Sequence, residues 1–439
     1  MSRVAISKLV SPVDESKIFD AVKSVLDKLG GIEKFVSPGE MVLIKPNFVS
    51  PRPPPVTTDI RVIKALALQI KETGAKPIIG EGSSAMTHWW REGMTTEDVM
   101  DLLGVSDMAK EIGVELIPFD RKGVFKSRMT LIPDAVLMKK AEIAELALEA
   151  DKIIPLPVLK TSMEGGGITC CIKVLHALTN AQSDRLRWHR SDLWQKLIDL
   201  FRLVKPKIPF CLVDGLVGME GDGPIHGTPV NMNLILAGDD PVSTDAIAAK
   251  IIGFEYPHRE IGPIALAHSQ GLGMGDPSQI EVMGEKVDEV KKRFLMASCE
   301  IITPPFENVL VYEGATCRGC KAWIKFLLYM LRDTGIFEDL KRLDKKLFFF
   351  TGLEPPFPTD LEELRELSKK GVILVYGDCS TNTTKHSYWV LKQGELKGKI
   401  ILIPGCPPFD SAQQATQIRD ALGLETTEKE EEAFKYVPT

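Results

Sequence analysis

Four cysteines near the end of the chain carry the clearest chemistry. Cys317 and Cys320 form a C-x-x-C pair around Arg318-Gly319, Cys379 follows Gly377-Asp378, and Cys406 lies between Gly405 and Pro407-Pro408. Four thiolates suit zinc or an iron–sulfur cluster. Structural zinc usually draws on two short knuckles, whereas this chain offers one C-x-x-C and two isolated cysteines. A cluster is larger than a single ion and is held by loops arriving from separate strands, which favours [4Fe–4S] over zinc. The other four cysteines, Cys170, Cys171, Cys211 and Cys299, show no ligand spacing and read as buried free thiols.

The elements that must position the four thiols are legible beside them. Each motif follows a short apolar run: Val309 to Tyr312, Val372 to Tyr376, and Ile400 to Ile403. Such β-rich runs, ended by glycine, read as buried parallel strands. Helical segments between them predict one parallel sheet, whose strand carboxyl ends share a single edge where ligands gather. Three loops should therefore bring four thiols to that edge.

With these residues in view, the pattern C-x-G-C, then G-x-C, then G-C-P-P is similar to that of the small subunit of nickel–iron hydrogenases. The matching subunit of respiratory NADH–quinone reductase belongs to the same superfamily. The resemblance covers residues 306–439 and implies a flavodoxin-like domain with a [4Fe–4S] cluster on Cys317, Cys320, Cys379 and Cys406. It implies electron transfer without naming the partner.

Composition narrows the class. The chain has 439 residues, enough for two or three domains, and its 44% hydrophobic and 26% charged content is that of an ordinary globular protein. A net charge of −6 with no basic block argues against nucleic acid as a partner. No apolar run approaches a membrane helix in length, and the first residues lead into a strand rather than a signal peptide, so the expected location is cytoplasmic. Eight cysteines in that setting read as reduced thiols and metal ligands.

The first 302 residues alternate strands and helices, which predicts an α/β fold with doubly wound, mostly parallel sheets, in one region or in two lobes, 1–133 and 134–302. Helices are expected over 13–30, 60–73, 97–112, 140–150, from Ile168 onward, 191–203 and 242–252. Strands are expected at 41–44, 76–79, 114–119, 152–159, 210–213, 231–237 and 279–282, and Thr303-Pro304-Pro305 marks the domain boundary.

Within this region Ile44-Lys45-Pro46-Asn47, Gly80-Glu81-Gly82, Leu159-Lys160-Thr161, Val213-Asp214-Gly215, Met219 to Pro224 and Gly238 to Pro241 resemble a family called domain of unknown function 362. That family is often described as iron–sulfur-linked, and many members carry ferredoxin-type cysteine runs, which this chain replaces with the hydrogenase-like module. It also has Ser162 where histidine is usual and Val174 where asparagine often follows the helix lysine. One short segment, Lys160 before a glycine-rich turn and then Lys173, is similar to nickel-pincer lactate racemases.

Read chemically, Lys45, Asn47, Glu81, Lys160, Asp214 and Asp239 fall at or just after predicted strand ends, where α/β proteins bind ligands. Gly165-Gly166-Gly167 running into a helix offers free N–H groups to an anion, with Lys160 and Lys173 beside it. Lys45, Asn47, Glu81, Asp214 and the three glycines are therefore candidates for binding a substrate or an unidentified second cofactor. Glu220, Asp222, Asp239, Asp240 and Asp245 suit either a divalent ion or proton transfer, with Asp239 or Asp240 equally suited to capping the next helix. Glu220, His176 and His189 are candidate acid–base residues, and Lys160 and Lys173 the catalytic lysines.

The resulting expectation is an iron–sulfur oxidoreductase that couples a carboxy-terminal cluster to chemistry on a small anionic substrate, with a redox partner protein and room for a homo-oligomer. Two alternatives stay open: a redox-neutral isomerase, lyase or ligase with a structural or Lewis-acid cluster, and a pure electron carrier. No G-x-G-x-x-G follows a strand, so a nicotinamide site is not expected.

Overall fold

The computed structural model describes residues 1–83, 95–120, 124–163, 167–180, 192–298, 306–384, 396, 398–408 and 411–424. It divides into two compact units, Met1–Trp188 with Asp192–Ala297 and, second, Ser298–Thr439, to which His189–Ser191 are also grouped. The expected linker Thr303-Pro304-Pro305 lies outside the described residues.

The strands of the first unit are β1 (Arg3–Lys8), β2 (Met41–Pro46), β3 (Lys76–Glu81), β4 (Glu115–Pro118), β5 (Ser127–Leu131), β6 (Lys140–Ala144), β7 (Lys152–Leu156), β8 (Val158–Ser162), β9 (Gly167–Thr169), β10 (Cys211–Glu220), β11 (Thr228–Gly238) and β12 (Glu281–Gly284). One sheet is parallel throughout, in the order β4-β3-β2-β7. Its order reverses at β2, because β3 and β4 lie on one side and β7 on the other. This is the switch point of a doubly wound sheet, and the crevice outside it is the usual ligand position. A second, mixed sheet runs β12-β1-β11-β10-β8-β9. Pro157 is the single residue between β7 and β8, so the chain passes from one sheet to the other there.

Both sheets are covered on both faces, which is why their strands read as continuous apolar runs. Val4, Ile6, Leu43, Ile153 and Val213 point into one core, while Ala5, Val42, Ile44, Ile154 and Leu212 point into the other. Local signals set the helices that pack on them. Asp14 accepts the Lys17 N–H at 2.9 Å to start Glu15–Leu29, and Gly30, at φ 113°, ends it in the left-handed region that glycine tolerates. Asp59 accepts the Arg61 N–H at 2.9 Å to start Ile60–Glu72.

Two expected helices are cut short, each preceded by a strand. Residues 140–150 begin as β6, paired antiparallel with β5, and only Glu145–Glu149 are helical. Ala141 and Ile143 are buried two residues apart, a strand period that the helix-forming composition conceals. At Ile168 the chain is β9, which pairs antiparallel with β8 through Lys160–Thr169, Thr161–Ile168 and Ser162–Gly167. The helix that follows covers only Cys171–Val174. Tertiary pairing overrides local propensity at both places.

The second unit contains β13 (Val309–Glu313), β14 (Lys346–Thr351), β15 (Gly371–Tyr376) and β16 (Ile400–Ile403), parallel and in that spatial order. β14, the Phe348-Phe349-Phe350 run, separates β13 from β15. Among the described residues this sheet shows no reversal of strand order, so the doubly wound, flavodoxin-like order expected here is not seen. Phe348, Phe350, Ile373, Val375 and Leu364 form its core, with the Tyr312 and Phe350 rings stacked 4.7 Å apart.

Candidate functional sites

In the second unit the strand ends place the thiols. Cys317 is the exposed residue that starts helix Arg318–Asp333, and Cys320 is buried in its first turn. Cys379 lies at the start of helix Asp378–Thr383 after β15, and Cys406 follows β16; both are exposed. Two backbone bonds and one from backbone to side chain lock the Cys379 and Cys406 loops together. Gly377 N–H donates to the Ile403 carbonyl at 2.8 Å, Asp378 N–H to the Gly405 carbonyl at 2.9 Å, and Gly405 N–H to Asp378 Oδ1 at 2.7 Å.

Glycine is required at 377 for two reasons. Its φ is +93°, and a Cβ there would lie 2.9 Å from Cys320 Sγ. A Cβ on Gly319 would lie 3.6 Å from both Cys317 Sγ and the Pro407 ring, so the first and last thiol loops also meet. Burial, followed by Cys317, Cys379 and Cys406, pushes the Cys320 thiol up to about 12. Burial and then Cys317 and Cys379 raise Cys406 as well. The four thiols thus sense one another, and a positive centre among them would reverse that repulsion.

In the first unit Lys45, Asn47, Glu81, Lys160 and Asp214 converge on the loop that leaves β2, which is bonded to the ends of β3 and β7. Lys45 Nζ bonds Glu81 Oε2 at 2.6 Å, with both side chains no more than 2% exposed. Glu81 also accepts the Gly82 N–H at 2.8 Å and the Phe48 N–H at 3.2 Å. Val56 carbonyl accepts from Asn47 Nδ2 at 3.0 Å and from Lys160 Nζ at 2.8 Å. Thr58 Oγ1 donates to the Leu156 carbonyl at the end of β7. Asp214 accepts the Asp59 N–H at 2.8 Å and the Leu216 N–H at 3.1 Å. Burial, then Asp59, raises its carboxyl to about 7.

Lys45, Glu81, Lys160 and Asp214 are buried and Asn47 is half-buried, and Lys160 and Asp214 lie inside strands rather than at their ends. Their positions hold the loop over the crevice.

The remaining candidates separate. Gly165, Gly166 and His189 lie outside the described residues. Gly167 belongs to β9 at φ +75°, where a Cβ would meet the Phe254 ring at 2.7 Å. Where a helix was expected to open at Ile168, the chain is a strand over Gly167–Thr169. The N–H groups of Cys171 and Ile172, at the start of the next helix, already bond the Asp245 carboxylate at 2.7 and 3.1 Å. Glu220 accepts the Leu295 N–H at 2.9 Å, Asp239 pairs with Arg3 at 3.0 Å, and Asp240 caps helix Pro241–Ile251. Glu220, Asp239 and Asp240 are thus dispersed into structural contacts. Lys173, half-buried, and His176, buried, stay together, with Lys173 Nζ 3.4 Å from His176 Nδ1.

One group escaped the sequence reading. The ligand atoms of Cys170, Cys171 and Asp245, all buried, lie within 4.8 Å of one another. Asp245 is 74 positions from Cys171, and adjacent cysteines have no recognised ligand spacing, so only the fold reveals the group.

Fold and sites define an α/β protein with a loop bonded across the strand ends at its switch point and, in a separate unit, four thiols at one strand edge. Residues 42–250 match the model of the family described as a domain of unknown function, DUF362. A thylakoid-associated protein of Synechocystis sp. is 24% identical over 247 residues, covering 54% of this chain and 71% of that protein. The lactate racemase apoprotein of Thermoanaerobacterium thermosaccharolyticum shares 18% identity at a TM-score of 0.28. That match covers 54% of each chain, so this protein spans about half the length of that structure. Among the described residues no helix is long and apolar enough to cross a membrane.

Proposed function

We propose that this chain is an iron–sulfur oxidoreductase. Its second unit holds a [4Fe–4S] cluster on Cys317, Cys320, Cys379 and Cys406, and its first unit presents a small anionic substrate to Lys173 and His176. The observation that carries the reading is the gathering of four thiols from three loops at the carboxyl edge of one parallel sheet, close enough that Cys320 feels the other three.

The donor set, one C-x-x-C pair and two isolated cysteines arriving from three loops, supports a cluster over a single ion. When bound, the cluster supplies one-electron transfer. Buried Cys320 anchors it on the protein side. Exposed Cys317, Cys379 and Cys406 leave an open face to a redox partner protein.

In the first unit Lys45, Glu81, Lys160 and Asp214 act by positioning the crevice loop. Lys173 is the cation for a carboxylate or phosphate, and His176 beside it holds or moves a proton at Nδ1. We place the protein in the cytoplasm. The description of the Synechocystis relative as thylakoid-associated raises attachment to a membrane surface as the location to test against it.

The first test is iron, acid-labile sulfide and zinc content of protein purified without oxygen, with its EPR spectrum before and after dithionite. About four iron and four sulfide per chain with a reduced-state signal is the expected result. About one zinc on four sulfurs and no sulfide would make the unit structural. For the first unit, Lys173→Ala should remove binding of small carboxylate or phosphate ligands while leaving the cluster spectrum intact.

A further inference from the structure

We infer a second, interior metal site in the first unit, built from Cys170, Cys171 and Asp245 with Cys211 alongside, and shaped for a thiophilic d10 ion such as Zn²⁺. Three elements converge on it. Cys170 follows β9 and Cys171 is the first residue of helix Cys171–Val174, Asp245 comes from helix Pro241–Ile251, and Cys211 is the first residue of β10.

Cys170 Sγ lies 4.0 Å from Cys171 Sγ, and Cys211 is near enough that it contributes to the shift of the Cys171 thiol. All four residues are at most 3% exposed. Ligands at about 2.3 Å for sulfur and about 2.1 Å for oxygen would stand roughly 3.5–3.8 Å apart around a tetrahedral zinc. A group already within 4.8 Å needs shifts of less than about 1 Å to close on one ion.

The chemistry of the donors fits the same reading. Each Asp245 oxygen accepts one backbone N–H, from Cys171 at 2.7 Å and from Ile172 at 3.1 Å, which fixes the carboxylate orientation. The carboxylate so held lies with both Cys170 and Cys171 sulfurs within 4.8 Å. When Zn²⁺ enters, the two ligating thiols become thiolates and release two protons to solvent, and no electron moves. Two thiolates and one carboxylate then leave the centre at a charge of −1, offset by the two N–H donors. Soft sulfur with one hard oxygen suits zinc better than magnesium or calcium, which take oxygen ligands. The alternative is a metal-free plug of thiols hydrogen-bonded to a buried carboxylate.

The experiment counts zinc and iron on the full chain, purified without oxygen from cells grown with added zinc and washed with a chelator. The expected result is about one zinc per chain, held beside whatever iron the second unit carries. Zinc-edge X-ray absorption should show two or three sulfurs at about 2.3 Å with one oxygen, distinct from a four-sulfur site in the second unit. Cys170→Ala, Cys171→Ala and Asp245→Asn should each reduce the zinc to below about a tenth of an equivalent with iron unchanged. Wild-type protein without zinc, zinc bound by four sulfurs, or full zinc in any folded variant would overturn the site. Because the absorption spectrum is taken on wild type, misfolding of the variants does not protect the inference.

Discussion

The two cysteine sets are opposite solutions to placing thiols in a protein. Cys170, Cys171 and Cys211 sit in the middle of the first unit's core, each at most 2% exposed, against a buried carboxylate. In the second unit Cys317, Cys379 and Cys406 are exposed at a strand-end edge, and only Cys320 is buried. Desolvation dominates the first set and holds its sulfurs neutral and compact, which leaves room for one ion at most. The second set is open to solvent and spread over three loops, an arrangement that admits a bulky cofactor and a partner. Thiol count alone does not separate these outcomes; burial and spread do.

Replacing Cys320 should have the largest effect. Cys320→Ser is expected to remove essentially all iron and sulfide while circular dichroism shows the first unit still folded. A fully loaded Cys320→Ser protein would break the contrast drawn between the two sets. Gly377→Ala sharpens the same point, because strain at φ +93° and crowding of Cys320 Sγ should lower cluster content severalfold without a change of ligand.

In the first unit the largest loss belongs to the interior ion pair. Glu81→Ala leaves the Lys45 ammonium buried without its carboxylate and should cost about 3–5 kcal/mol in denaturant unfolding. Lys45→Met with Glu81→Leu should cost less than the single change, since apolar replacement of a buried pair is often close to neutral.

The pH dependence is a smaller effect of fixed sign. Asp214 has a folded-state pKa of about 7 against an unfolded value of about 3.9. Between those values the folded chain binds more protons than the unfolded chain. Its contribution is therefore fully present below about pH 4 and is lost as pH rises through about 7, by at most about 4 kcal/mol. Asp214→Asn should flatten that slope, and an unchanged slope would assign it to Asp245, whose pKa burial raises to about 6.

The least effect is expected at the cap of helix Pro241–Ile251. There Asp240→Ala should cost about 0.5–2 kcal/mol in thermal or denaturant unfolding.

Much of the fold is local information and was legible. The helices at Glu15–Leu29 and Ile60–Glu72 start at Asp14 and Asp59, and one ends at Gly30, all recognisable cap residues. Strands β13, β15 and β16 are apolar runs ended by glycine or proline. Their ends therefore placed four thiols on one edge from the order of residues alone. Segments with two local solutions were not legible. Residues 140–144 have helix-forming composition but pair with β5, and Gly167–Thr169 pairs with β8 where a glycine turn into a helix was expected. Strand pairing is a contact between distant parts of the chain, and no window of a dozen residues contains it.

The same division runs through the sites. Residue type and spacing determined the thiol pattern of the second unit and the strand-end motifs of the first. Tertiary structure decided that Lys45, Glu81 and Lys160 are interior and hold the crevice loop. It also decided that Asp245, 74 positions away, belongs with Cys171. The physical reason is that a motif specifies which groups are available, while burial and long-range packing specify which partners they meet and at what dielectric.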